Sequence, residues 1–309
     1  MWQTAEAEGH VEAAAAGGFD AGETIIHHIA NNAGHPILHL PPVFGIDLSI
    51  SKHVLMLWLV ALVVFTLVTW IVRRHLNRGP VPSGAANALE AIVEYIRDSI
   101  VRPNVGDRWV GTWAPLILTL FVFIFTANII GLIPVFEGLS LLNHWVLHTG
   151  PDSVFGRILH GGTTATANFN VTVGLALITF FAIIIAGTKA HGFVNHWKNI
   201  VPHGMPWPIY ILLVPIEVLS MFVKPFTLTM RLAANMTGGH IGILAVLSLV
   251  FLFTEMMKNA MIGIGIGIAV SVPLAVAITG LELIVVLVQA YVFTLLSAVF
   301  IGMVIHVHH

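Results

Sequence analysis

Four apolar stretches run along the chain, and their lengths differ. The first extends from Val54 to Val72 without a charge, the second from Trp113 to Phe136, and the third, shorter but also uncharged, from Val171 to Gly187. From Ile209 the chain stays mostly apolar to Phe253, and beyond the polar break Thr254–Ala260 it is apolar again from Met261 to Ile305. A helix needs about 20 apolar residues to cross a hydrocarbon core ~30 Å thick, so the first three stretches predict one span each. Each half of the last stretch, at about 45 residues, would measure roughly 68 Å as a helix. Splitting its first half at Lys224–His240 leaves fragments of about 15 and 13 residues, both too short to cross. Each half therefore reads as a single, strongly tilted helix. Between the first two spans, Ala85–Val101 sets Leu89, Ile92, Val93, Ile96 and Ile100 at helical spacing among Glu90, Glu94, Arg97 and Asp98, the pattern of an amphipathic helix at the membrane surface.

The expected fold is an all-α polytopic membrane protein with five crossings (54–72, 113–136, 171–187, 209–253 and 261–305) and one surface amphipathic helix (85–101). The last two crossings form a hairpin of long tilted helices. A single membrane domain, 54–309, follows a polar segment, 1–53, that carries Glu6, Glu8, Glu12, Asp20, Glu23 and Asp47. That segment has no basic region ahead of an apolar core, so it does not read as a cleavable signal peptide.

Composition agrees with this reading. Of 309 residues, 57% are hydrophobic and 9% charged, against about 25% charged in soluble domains, and the mean hydropathy is +0.92. A soluble enzyme and a disordered chain are excluded. With 13 Lys and Arg against 15 Asp and Glu, there is no basic excess to meet nucleic acid. The chain has no cysteine, hence no disulfide framework and no thiolate site. Nor is there a catalytic triad or paired-carboxylate pattern, so neither catalysis nor a cofactor is expected. Gly263-Ile264-Gly265-Ile266-Gly267 lacks the spacing of a nucleotide-binding loop and reads as helix packing. His27-His28 and His306-Val307-His308-His309 show no four-ligand spacing and read as solvated tails.

The Lys and Arg distribution sets the orientation. Arg73, Arg74, Arg78, Arg97, Arg102 and Arg108 follow the first span and Lys189 and Lys198 the third, whereas Lys52, Arg157 and Lys258 fall on the other side. The N-terminus is expected outside and the C-terminus inside.

Ionisable groups within spans are expensive and are functional candidates by default. Here they are Glu217, Lys224, Arg231, His240 and Glu282, joined by the amides Asn235 and Gln289. Glu217, Lys224 and Arg231 step by seven and drift only about 20° per step, so they share one helix face. Residues facing each other in an antiparallel pair have position numbers of constant sum. That sum is 522 for His240 with Glu282 and 520 for Arg231 with Gln289. One register, turning near Asn259–Met261, would bring a histidine to a carboxylate and an arginine to an amide. Histidine titrates near neutrality, whereas arginine keeps its charge. Titratable groups on both sides of a fixed cation suggest two aqueous half-paths separated by a barrier.

Lys224-Pro225-x-Thr227-Leu228-x-x-Arg231-Leu232-x-x-Asn235-Met236-x-x-Gly239-His240 resembles the signature of subunit a of F-type ATP synthase. Asn128-x-x-Gly131-Leu132-x-Pro134, Asn168-x-Asn170, and Glu282 followed by Gln289-Ala290 agree with it, in order and spacing over about residues 50–305. The resemblance implies a non-catalytic stator subunit in a bacterial plasma (inner) membrane, with a periplasmic N-terminus and a cytoplasmic C-terminus. It would face a ring of small hairpin rotor subunits, each with an essential carboxylate. A peripheral-stalk subunit b and a soluble ATPase head would complete the complex. Arg231 would be the essential arginine between two proton half-channels. His240, Glu282, Asn235 and Gln289 would line the outer one, with Gln289 supporting Arg231, and Glu217, Ser220 and Lys224 the cytoplasmic exit. The order of His240 and Glu282 is that of mitochondrial-type members, and Gly131 stands where some members carry an acid. Ala233, Ala234, Gly238 and Gly239 suit close approach of another helix, which the resemblance makes the ring. The rivals are a self-contained transporter, which would show an internal repeat, and a purely structural subunit, which leaves the buried charges unexplained.

Overall fold

The computed structural model describes residues 52–77, 81–132, 165–198, 207–257 and 260–306. Among these, every regular element is helical. Helix α1 spans Lys52–Leu76, α2 Ala85–Tyr95, α3 Arg102–Val105, α4 Asp107–Leu132, α5 Phe169–His191, α6 Phe193–Lys198, α7 Trp207–Met256 and α8 Ala260–Ile305. A π-helical turn, Ile96–Val101, joins α2 to α3, and a short 3₁₀ turn, Ala165–Ala167, precedes α5. Five of the helices (α1, α4, α5, α7 and α8) are long and apolar enough to cross a membrane.

The two long halves are continuous helices of 50 and 46 residues, roughly 75 and 69 Å long. The break between them falls after Met257, where the polar turn was expected. Helix α5 outruns its predicted stretch at both ends. Asn168 caps it, its Oδ1 accepting from the Asn170 amide at 2.8 Å, which gives the Asn168-x-Asn170 pair a local structural role. Helix α4 starts six residues earlier than its apolar run, and residues 133–136 lie outside the described ones. The N-terminal segment 1–51, His27-His28 and His308-His309 also lie outside them.

The described residues fall into two compact units, those within 237–283 and those within 52–236 together with 284–306. The larger unit has one continuous apolar core. Ile100, Val101, Val105, Ile117, Ile124, Leu232 and Ile301 are all completely buried in it. The segment expected as a surface amphipathic helix thus contributes its C-terminal third to the core. The π-helical turn makes this possible by widening the helix by one residue, which rotates Ile96, Ile100 and Val101 to a common inner side. Two pairs of polar side chains bond to each other inside this unit: Thr166 donates to Asn128 at 2.6 Å, and the Thr179 and Ser297 hydroxyls meet at 3.1 Å. At Gly302 a Cβ would strike the Asn104 backbone, so a residue with any side chain would force α3 and α8 apart.

The smaller unit contains the C-terminal part of α7 packed on the N-terminal part of α8. Gly263, Gly267 and Ser271 recur every four residues on the buried side of α8. A Cβ at Gly263 would lie 2.5 Å from Thr254 Cα, and one at Gly267 2.7 Å from Val250 Cα. The glycine run is therefore a helix-packing device, as its sequence context implied.

Candidate functional site

Six of the eight candidate residues on α7 and α8 are buried or half-buried, and Arg231 and Asn235 are exposed. Glu217, Ser220 and Lys224 lie half-buried on the side of α7 that continues through the buried Leu228 and Leu232. The Lys224 ammonium stands 5.7 Å from the centre of the Phe300 ring, a cation–π contact that suits a charge within a span. Arg231 is exposed. The predicted common face of Glu217, Lys224 and Arg231 is thus only partly realised. The buried stripe advances in steps of four, about 40° each, while the seven-residue series falls back by about 20° per step. By position 231 the two have separated, and the arginine sits outside the packed side. Among the described residues it forms no ion pair.

Small residues flank Arg231 on both sides of that divide. Ala233 is buried and Gly239 faces inward, whereas Ala234 and Gly238 are exposed, and a Cβ on Gly238 would meet nothing within 4 Å. Half of this group serves packing within the chain, and the other half is open.

The helix-pair register departs from a constant sum. In the smaller unit the contacts of Gly263 with Thr254 and of Gly267 with Val250 both sum to 517, and that of Gly239 with Glu282 to 521. In the larger unit Asn235 with Gln289 and Lys224 with Phe300 both sum to 524. A constant sum presumes straight cylinders touching along one line. A shift of four is one helical turn, and it changes which residues meet. Gln289, buried, accepts from the Asn235 Nδ2 at 3.0 Å instead of pairing with Arg231. The expected arginine–amide pair is thus replaced by an amide–amide pair.

Glu282 is 3% exposed, and neither of its carboxylate oxygens has a hydrogen-bond partner among the described residues. The expected contact with His240 is therefore not made as a hydrogen bond. Gly239, its neighbour, lies directly against the carboxyl, and a Cβ there would collide with it. The predicted register holds to within one residue at this point, and the missing side chain of Gly239 is what admits the carboxyl. His240 is half-buried on the same stretch of α7.

Two further clusters lie outside the spans, and neither was singled out from the sequence as a site. Around the π-helical turn, Arg97 donates two hydrogen bonds of 2.9 Å to Asp98, while Arg102 reaches Asp98 at 3.0 Å and Asp107 at 3.1 Å. The Arg97 hydrogen bonds hold the Asp98 carboxyl below the usual carboxylate range, against an opposing effect of partial burial. The Arg102–Asp107 pair bridges the corner at Gly106, whose φ of +77° lets α3 end and α4 begin. Near the ends of α5 and α8, the His191 Nε2 lies 3.1 Å from the Ile305 carbonyl, and the buried His196 packs on Gly187. Burial pushes the His196 imidazole below its ordinary value, and nearby His191 adds to the shift. The charges alternate too irregularly for periodicity to expose the first cluster. A histidine's burial in a short connecting helix leaves no sequence signal at all. No group of three metal-ligating side chains occurs among the described residues.

Five membrane-length helices that carry a permanent cation, a buried carboxyl and a hydrogen-bonded amide pair along their apolar lengths define an ion-handling membrane protein. Comparison with known proteins narrows that class. The family model described as ATP synthase A chain matches residues 54–302. The chain is 38% identical over 304 residues to ATP synthase subunit a 2 of Chlorobium luteolum, covering 95% of this chain and 79% of that protein. It is 37% identical over 310 residues to ATP synthase subunit a 2 of Prosthecochloris aestuarii (97% and 83% covered). With ATP synthase subunit a of Myxococcus xanthus it shares 40% identity over 266 residues (85% and 75% covered). The chain belongs to the ATP synthase A chain family, the proton-translocating stator subunit of the F-type membrane sector, and is a component of that complex.

Proposed function

We propose that Arg231 is the fixed charge that separates two proton half-channels and meets the carboxylate of a rotating ring. The observation that carries this reading is its placement. A cation that cannot be neutralised stands in the middle of a membrane-length helix, exposed and without an ion pair among the described residues. Ala234, three residues on along the same helix, is small and exposed. An unpaired charge in a span needs a partner of opposite sign, and a ring of small hairpin subunits with a carboxylate on each supplies it in succession. Glu282, His240, Asn235 and Gln289 line the outer half-channel, and Glu217, Ser220 and Lys224 the cytoplasmic exit. The Asn235–Gln289 hydrogen bond engages both amides and leaves the Arg231 guanidinium available to the ring.

In this reading the chain itself performs no chemistry on nucleotides, which belongs to the soluble ATPase head, and a peripheral-stalk subunit b holds it against rotation. The complex lies in the bacterial inner membrane with the N-terminus periplasmic and the C-terminus cytoplasmic, as the excess of basic residues after the first and third spans supports. The test is ATP-driven acidification of inverted membrane vesicles. Arg231→Ala is expected to abolish pumping while leaving the assembled complex detectable, and pumping at a near-normal rate would overturn the proposal.

A further inference from the structure

We propose that the end of α1 binds one anionic phospholipid, with its phosphate held at Arg74 and His75 and an acyl chain laid along the outer side of the helix. Two cavities meet at this end. One, of about 250 Å³, lies between Trp70, Arg74 and His75 and the Ser83–Ala86 segment. The other, a groove of about 540 Å³, runs from Arg73 and Asn77 down past Thr69 and Trp70 to Phe65. Trp70 and Arg74 line both, and the Arg74 guanidinium sits over the Trp70 ring at 5.2 Å. That stacking fixes a cation at the mouth of each cavity.

Both cavities have basic side chains where they meet and apolar surface further on, as a phospholipid has an anionic head and apolar chains. Arg73, Arg74 and His75 form the last turn of α1, and the chain has no acidic residue between Asp47 and Glu90. Neither arginine forms an ion pair among the described residues. The basic end is therefore uncompensated within its own stretch of chain, and an anion complements it. Away from Arg73, Arg74 and Asn77 the groove presents the apolar rings of Phe65, 69% exposed, and Trp70, 56% exposed. The Thr66 hydroxyl is bonded to the Leu62 carbonyl of its own helix at 2.7 Å. A free phosphate would use only the basic end of the cavities, and a zwitterionic lipid would leave the excess positive charge unmatched. An anionic glycerophospholipid uses both cavities, in the arrangement by which basic pockets at a membrane interface hold such headgroups. The site lies on α1 and is independent of the roles proposed for α7 and α8.

The test uses the purified, assembled complex reconstituted with photoactivatable phosphatidylglycerol or, in parallel, photoactivatable phosphatidylcholine at equal low mole fraction. Adducts are mapped by peptide mass spectrometry. Labelling of peptides within residues 65–86 is expected to favour the anionic probe several-fold. Each arginine neutralised is expected to weaken that preference by roughly fivefold, so Arg73→Gln with Arg74→Gln removes it while phosphatidylcholine labelling persists. Arg74→Lys, which keeps the charge, retains most of the preference and guards against a general folding defect. Equal labelling by both probes, an unchanged preference in the double glutamine variant, or protection of the segment from both probes by another subunit would each overturn the proposal. So would displacement of the anionic probe by millimolar inorganic phosphate, because the site would then read the phosphate alone.

Discussion

The hairpin of α7 and α8 rests on two glycines, and replacing them separates packing from composition. At Gly267 an alanine Cβ would fall 2.7 Å from Val250 Cα, 3.2 Å from its carbonyl oxygen and 3.3 Å from its Cβ. Carbon atoms pack best at about 3.5–4.0 Å, so the two backbones must separate by roughly 1 Å. The opposing atoms belong to a helix backbone and no rotamer change can remove them. Overpacking of this kind costs about 1–3 kcal/mol, and a gap of that size forfeits about a quarter to a half of the dispersion energy along the contact. Gly263→Ala meets Thr254 Cα and the Phe253 carbonyl in the same way. One displacement relieves both clashes, so the double variant should cost clearly less than the sum of the two singles. Gly265, between them, has nothing within 4 Å of its Cβ position. Gly265→Ala should be neutral, or stabilising by up to about 1 kcal/mol through helix propensity. The assay is the thermal dissociation midpoint of the purified complex together with the amount of chain assembled. Equal damage from Gly265→Ala and Gly267→Ala, or full additivity of the Gly263 and Gly267 variants, would refute the packing argument.

Three other outcomes follow from the same structure. Gly239→Ala places its methyl group against the end of a flexible side chain, the Glu282 carboxyl; assembly should persist while ATP-driven acidification falls, and unchanged pumping would remove Glu282's position from the proton path. Thr166→Val leaves the buried Asn128 carbonyl oxygen without its 2.6 Å donor, at a cost of about 1–3 kcal/mol, read as a lowered dissociation midpoint that Thr166→Ser restores. His196 is held neutral, with its affinity for protons lowered from an ordinary value of 6.5. The unfolded chain binds the extra proton, so the stabilising contribution is complete above 6.5 and is lost as pH falls below it. Amide exchange in α6 should therefore accelerate on acidification, and His196→Gln should flatten that dependence.

How much of this was legible in the chain depended on whether the governing constraint was local. A bilayer demands a minimum run of apolar residues whose backbone groups are bonded within the segment. Run length therefore settled the five membrane-length helices, the continuity of α7 and α8, and the break between Met256 and Ala260. The cost of a charge within such a run marked Arg231 and Glu282 from position alone, and the spacing of Gly263 and Gly267 marked a packing seam. Which residues meet was another matter. In a span both the lipid side and the core side are apolar, so hydrophobic periodicity does not say which way a helix faces. Only close packing resolved that. The absent side chains at Gly239, Gly263 and Gly267 bring α8 onto α7. A departure of one turn from constant register gives Gln289 to Asn235, and the wandering buried stripe leaves Arg231 outside. The Thr179–Ser297 and Asn128–Thr166 bonds link residues 118 and 38 positions apart. Such contacts are set by side-chain volume and backbone approach in three dimensions, and a linear pattern holds no record of either.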